Sequence, residues 1–142
     1  HTPLLTDQRF ADFSQAIGET GLHCDKTDYS WLIRLYWFTV EFGLLRQGRH
    51  IKALGSGLAS SPTELIHAVQ DPTAQRKPFD VIDILRTPYR IDIHQPIYFV
   101  LESVEQLIDA GQRDLIQDIR TAQRLGLHAP AYPAKQPLGA AQ

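Results

Sequence analysis

The chain of 142 residues predicts a mainly α-helical α+β fold, a helical domain with one short β section near residues 89–101. Three observations carry that expectation. Apolar residues recur at helical spacing through most of the chain, and two Ser-to-Glx capping patterns mark helix starts. Only around residue 89 does the period shorten to two. A chain of this length fits one domain and buries about two-thirds of its unfolded surface. We read residues 1–126 as that domain and the Pro- and Ala-rich stretch 127–142 as a loosely structured tail with little to bury.

Each element follows from local chemistry. Thr6 or Asp7 can cap a first helix carrying Phe10, Phe13 and Ile17 on one face, with Gly18 and Gly21 as stops. Thr27 or Asp28 can open a second helix running toward Gly48. It is amphipathic at first and apolar nearly all round from Leu35 to Leu45, which places it in the interior. HIKAL reads as a short extended piece leading into a Gly55-Ser56-Gly57 loop, where glycine allows close backbone approach. Ser61, Pro62 and Glu64 occupy the N-cap, first and third positions of the next helix, a capping box with proline in the first turn. Asp71 to Pro78 is a polar connector, and Phe79 to Arg86 a short helix. Tyr89, Ile91 and Ile93 alternate with Arg90, Asp92 and His94, the pattern of a strand that Gln95-Pro96 breaks. Ile97 to Leu101 is a short buried run, and Ser103 with Gln106 opens a helix carrying Leu107, Ile108, Leu115, Ile116 and Ile119.

Charge and cysteine usage exclude several function classes. The formal charge of −2 comes from interspersed residues of both signs, so no basic stripe favours nucleic acid or an anionic membrane. Small soluble partners are expected. The longest apolar stretch is interrupted by Thr39 and Glu41 and is too short to span a bilayer. The single cysteine, Cys24, has no internal disulfide partner, which favours a reducing, cytoplasmic location. The chain starts at His1 instead of Met, so residues preceding it are expected.

The residue that needs explaining is Glu41, a lone carboxylate inside YWFTVEFGLL. A charge in such a helix requires a partner, a proton or a metal. Arg34 lies seven residues earlier, almost on the same helical face, and Trp37 can cover the pair; pattern alone favours that salt bridge. The competing reading is a metal carboxylate completed by imidazoles. His1, His23, His50, His67, His94 and His128 form no HxxxH or HExxH pair, so spacing does not choose among them.

The segments HTPLLTDQRFADFSQAIG, LYWFTVEFGLLRQG, IKALGSGLASSPTEL and YRIDIHQPIYFVLES, in this order and at these separations, resemble the C-terminal half of the catalytic domain of the pterin-dependent aromatic amino acid hydroxylases, most of all their bacterial phenylalanine-hydroxylating members. The resemblance runs from His1 to Ser103. It implies a non-haem Fe(II) held by two histidines of a His-Glu-x-x-Gly-His motif and a later glutamate; His1 matches the second histidine and Glu41 the glutamate. The first histidine, and the upstream segments that hold much of the pterin, lie outside this sequence. Tyr36 matches a tyrosine beside iron and pterin, with catalytic and cofactor-binding roles. Trp37, Phe42 and Gly57 match substrate-pocket positions; without the resemblance, the two aromatics read as core. Ser60 matches a serine that serves catalysis and substrate binding by orienting an iron-ligating histidine; by pattern it is a loop serine beside the N-cap. Tyr89 matches a cofactor-binding tyrosine of a segment flanking the pocket, and reads equally as an inward strand residue. Glu64 also matches a family glutamate near the site, but its capping box already accounts for it.

The resemblance further implies the cofactors Fe(II) and a tetrahydropterin, tetrahydrobiopterin or a relative, and hydroxylation of L-phenylalanine to L-tyrosine with O2. Ile91 falls where tyrosine-specific members carry an acidic residue, which argues against tyrosine as substrate and leaves tryptophan open. The final residues, PAKQPLGAAQ, lack the leucine-heptad helix of the tetrameric animal enzymes, so a monomer is expected. Two classes stay in view: an iron- and pterin-dependent hydroxylase whose N-terminal half precedes His1, and an inactive fragment or shortened relative that acts as a binding or interaction module.

Overall fold

The computed structural model describes residues 8–132. Helix α1 (Gln8–Leu22) buries Phe10, Phe13 and Ile17 as their spacing predicts, and runs on through Gly18 and Gly21, where stops were expected. A helical glycine costs only about 1 kcal/mol, and at Gly21 the bare backbone lets Tyr29 and Leu32 pack close by. The expected caps Thr6 and Asp7 lie outside the described residues. Helix α2 (Lys26–Tyr36) is capped by Asp25, whose carboxylate accepts from Asp28 N at 2.7 Å, slightly earlier than expected.

Instead of continuing to Gly48, α2 widens at Trp37–Glu41 into a π-turn, in which Phe42 N donates to Trp37 O at 2.9 Å. The buried Thr39 hydroxyl donates back to Leu35 O at 2.6 Å, competing with the regular ladder. The chain then leaves as strand β1 (Leu44–Gln47), turns at Gly48 with φ 61°, and returns as β2 (His50–Ala53), Leu44 opposite Ala53. Gly55 follows. A Cβ there would lie 2.2 Å from the Glu41 carbonyl oxygen, so only glycine fits.

The expected Gly-Ser-Gly loop winds into one helical turn, α3 (Ser56–Ala59), before α4 (Pro62–Gln70). Ser61 stands at the α4 N-cap, yet its side chain makes no capping bond there. The polar connector supplies a strand, β3 (Gln75–Pro78), and Asp80 caps α5 (Val81–Leu85) by accepting from Asp83 N at 2.8 Å. Residues 89–93 form a bent loop and not the predicted strand, with Ile91 77 % exposed. The carbonyls of Arg90 and Ile93 are bound by the Gln95 side-chain amide, not by a neighbouring strand. The strand is β4 (Ile97–Leu101). The long helix expected after Ser103 is two: α6 (Glu105–Gly111) and α7 (Leu115–Leu125). Asp114 separates them by capping α7 through Gln117 N at 3.1 Å, and the Gln106 amide oxygen reaches back to Glu102 N.

The four strands form a mixed sheet in the order β2-β1-β4-β3, with β4 parallel to both neighbours. The unbroken apolar run of β4 suits a strand buried on both faces. Tyr98 and Val100 join Leu44, Leu58, Ala68 and Ala74 on one face, beside α3 and α4. Phe99 and Leu101, with Leu45, point into the larger core built from α1, α2, α5, α6 and α7. The fold is therefore mostly helical around a small mixed sheet, as the sequence predicts, and among the described residues no helix is long and apolar enough to cross a membrane.

A polar clamp joins α2 to α7. The Asp28 carboxylate, 3 % exposed, accepts from Arg120 Nη1 at 2.7 Å and Gln123 Nε2 at 2.8 Å. Removing the outer cation leaves a buried charge under-compensated, so Arg120→Met should lower unfolding stability by about 2–3 kcal/mol, and Asp28→Asn in the same chain should restore part of it. Chemical denaturation of both variants checks this. Gly55→Ala should cost about 2–4 kcal/mol or prevent folding, because its methyl meets rigid backbone; a denaturation midpoint close to the parent chain's would contradict it.

Candidate functional site

The π-turn sets the site. Its widened backbone places Tyr36, Trp37, Glu41 and Phe42 at the junction of α2 with the sheet, and π-turns inside helices recur at functional sites. Glu41 is half-buried at the end of this turn, not sunk in the middle of a helix. Its carboxylate lies over Gly57, where a Cβ would approach Oε2 to 2.8 Å and the Phe42 ring to 3.4 Å. Burial chiefly, then the charge of Glu41 and a hydrogen bond to its carboxylate, push the Tyr36 hydroxyl above its usual pKa. Tyr36 and Glu41 are thus neighbours.

The salt bridge expected from pattern is not formed. Arg34 donates from Nη1 to Leu85 O at 3.1 Å and its guanidinium lies 4.7 Å over the Trp31 ring. A seven-residue spacing aligns two side chains only on a regular α-helix, and the π-turn rotates Glu41 off that face. Among the described residues no Lys, Arg or His forms an ion pair with Glu41. No group of three or more metal-ligating side chains occurs among them either. His1 lies outside the described residues, so its place relative to Glu41 is outside the structure.

The aromatic positions come together. Trp37 stacks on Tyr89 with ring centroids 4.5 Å apart and an interplanar angle of 13°, and Phe42 packs against it at 4.6 Å and 39°. Phe38 meets Tyr89 edge-on at 6.1 Å. Burial raises the Tyr89 hydroxyl pKa, partly offset by Arg34, so the ring is a neutral wall at ordinary pH. Ser60 caps α3 and donates to Gly57 O at 3.2 Å, which ties it to the glycine under Glu41. A separate apolar groove of about 440 Å³ runs between α1 and α2, lined by Ile17, Tyr29 and Leu32, and meets the site only at Tyr36.

Two residues sit behind this wall: Glu64, which the capping pattern had accounted for, and Gln95, which had no assigned role. Glu64, 5 % exposed, does not close the predicted capping box; its carboxylate turns inward and accepts from the Tyr98 hydroxyl and from Gln95 N. Burial and the hydrogen bond to Glu64 hold the Tyr98 hydroxyl far above its ordinary pKa. Gln95, 1 % exposed, accepts from Trp37 Nε1 at 3.3 Å and donates from Nε2 to Arg90 O at 2.8 Å and Ile93 O at 3.3 Å. Its carbonyl faces His67 Nε2 at 3.0 Å, and His67 in turn faces Asp71 at 2.9 Å. The resemblance had marked Glu64, but its position at a cap accounted for it without a role in the site. Gln95 gave no local signal, since Gln before Pro reads as a strand breaker.

Chemically, the described site offers one carboxylate without a cation, a phenol beside it, a side-chain-free floor and an apolar aromatic wall. A hard or borderline divalent metal suits that carboxylate, and a flat apolar ring suits the wall.

Residues 1–124 match the family described as biopterin-dependent aromatic amino acid hydroxylase. The phenylalanine-4-hydroxylase of Pseudomonas aeruginosa is 43 % identical over 136 residues, 96 % of this chain and 52 % of that protein. The apo structure of the cold-active phenylalanine hydroxylase of Colwellia psychrerythraea 34H superposes with a TM-score of 0.87 at 44 % identity, covering 92 % of this chain and 51 % of that one. The phenylalanine hydroxylase of Legionella pneumophila gives 0.88 at 36 % identity, covering 94 % and 56 %. The chain therefore spans about half the length of these relatives. With nearly all of its described residues inside the family match and the fold shared throughout, the chain belongs to the biopterin-dependent aromatic amino acid hydroxylases.

Proposed function

We propose that the protein to which this chain belongs is a cytoplasmic, monomeric Fe(II)- and tetrahydropterin-dependent monooxygenase that converts L-phenylalanine to L-tyrosine with O2. The observation that carries this reading is Glu41: a half-buried carboxylate with no cation partner among the described residues, set against an aromatic wall in a chain of this family. Glu41 and His1 would hold the iron as its carboxylate and one of its imidazole ligands. When bound, the iron and pterin supply the activation of O2 and the two electrons it requires.

The chain's own residues supply position and exclusion of water. Gly57 leaves room for the Glu41 carboxylate, and Tyr36 holds its phenolic proton toward it. Phe42 and Trp37 present apolar surface to an aromatic side chain, with Gly57 as the floor. Ser60, bonded to Gly57 O, would orient a metal-bound imidazole, and Tyr89, stacked on Trp37, would flank the pterin. Ile91 is apolar at the position where tyrosine-specific members of the family carry an acidic residue, which supports phenylalanine over tyrosine.

The whole protein, supplied with Fe(II), a tetrahydropterin and O2, should form tyrosine from phenylalanine; formation of 5-hydroxytryptophan from tryptophan in its place would overturn the substrate assignment. Glu41→Gln should keep the fold and lower Fe(II) affinity at least about 100-fold, with activity lost in parallel. Unchanged iron content measured by metal analysis would remove Glu41 from the site. Gly57→Ala adds a methyl 2.8 Å from Glu41 Oε2, the mobile end of a side chain. It should therefore leave the melting temperature within a few degrees while weakening iron binding roughly tenfold.

A further inference from the structure

We propose that Gln95 is a positioning residue that holds the 89–94 loop against the aromatic wall and so sets the shape of the aromatic-substrate pocket; the substrate part of this inference rests on the hydroxylase reading above. Residues 89–93 form no strand, and no ladder holds them. The Gln95 side chain is the group that binds their backbone carbonyls. The Gln95 amide binds the carbonyls of Arg90 and Ile93 through Nε2 and the Trp37 indole N–H through Oε1. The orientation of the amide is dictated by its partners: two carbonyls can only accept and an indole N–H can only donate. One planar group thus ties the loop backbone to the wall, beside the direct stacking of Tyr89 on Trp37.

Gln95 is itself pinned from behind. Its backbone N–H donates to the buried Glu64 carboxylate, which also accepts from Tyr98 on β4, and its carbonyl faces the His67 ring. The chain of contacts thus runs from the central strand and α4, through Gln95, to Trp37 and the loop. Its outcome is the Trp37–Tyr89 stack, because Tyr89 begins the loop that Gln95 holds. At 1 % exposure, Gln95 has no water to replace any of these partners. The amide is better explained as a latch than as a core filler, since an apolar residue of equal size would fill the volume but bind neither carbonyl nor indole.

The test uses a reporter already in the loop, the Arg90–Ile91 bond, with the Arg49–His50 bond of the β1–β2 hairpin as internal reference. In Gln95→Met the rate of tryptic cleavage after Arg90 relative to that after Arg49 should rise roughly tenfold, with the melting temperature lowered by only a few degrees. In the whole enzyme the same variant should raise KM for the aromatic amino acid several-fold, on the order of the loss of one buried hydrogen bond, while iron content stays unchanged. An unchanged cleavage ratio overturns the latch. A raised ratio with an unchanged amino acid KM overturns its role in the pocket. If Gln95→Met does not fold, Trp37→Phe, which deletes the single N–H and keeps a ring, should raise the ratio roughly two- to threefold; no rise overturns the proposal. A whole protein that hydroxylates no aromatic amino acid defeats the functional reading separately, and the cleavage ratio still judges the latch.

Discussion

The site depends on one close passage of backbone. After the β1–β2 hairpin the chain returns past the end of the π-turn, and Gly55 and Gly57 lie so near Glu41 that a methyl at either would meet its carbonyl or carboxylate oxygen. Gly43 does the same within the turn, where a Cβ would sit 2.6 Å from Thr39 O. The π-turn, the hairpin and α3 are consequently a single unit. Leu54 N and Gly55 N both donate to Gly43 O, which locks the returning chain onto the turn. A carboxylate at the end of a helix would ordinarily be mobile, whereas here its backbone is clasped on two sides.

Around that unit the molecule separates two tasks. The larger core, where α1, α2, α5, α6 and α7 meet one face of the sheet, provides the apolar burial that holds the domain together. The smaller cluster on the opposite face, beneath α3 and α4, encloses the polar pair Glu64 and Tyr98 and supports the site from behind. Buried polar groups of this kind add little net stability over apolar residues of the same shape, but once present each must be satisfied, so they admit one arrangement of their neighbours. Gln95 extends that arrangement to the loop.

The tail beyond α7 is fastened for a short distance by the same economy of polar contacts. Arg86 donates from Nε to Gly126 O and His128 faces Asp83 at 2.6 Å, while Lys77 binds the other oxygen of that carboxylate at 2.8 Å. Burial is the largest single influence on the Asp83 carboxyl and pushes its pKa up, but the Lys77 and His128 contacts together outweigh it and hold the group below its ordinary pKa. These contacts keep residues 126–128 against α5.

Much of this was legible in the residues themselves. Apolar spacing located α1, α2, α5 and the buried run of β4, and the family resemblance named the aromatic positions that the structure brings together at Trp37, Phe42 and Tyr89. Periodicity is a local property, and where burial follows from the period the sequence is a sufficient guide. It failed where long-range partners outweighed local preference. Thr39 and the returning glycines turned a regular helix into a π-turn, which took Glu41 away from Arg34. A hydroxyl from β4 drew Glu64 out of its capping box. The alternation of 89–93 became a loop because the carbonyls of Arg90 and Ile93 found the Gln95 amide and not a neighbouring strand. The sequence by itself determined the class of fold and the set of side chains available to the site. Only the tertiary structure decided which of them face one another, because a hydrogen bond between residues far apart in the chain leaves no trace in local spacing.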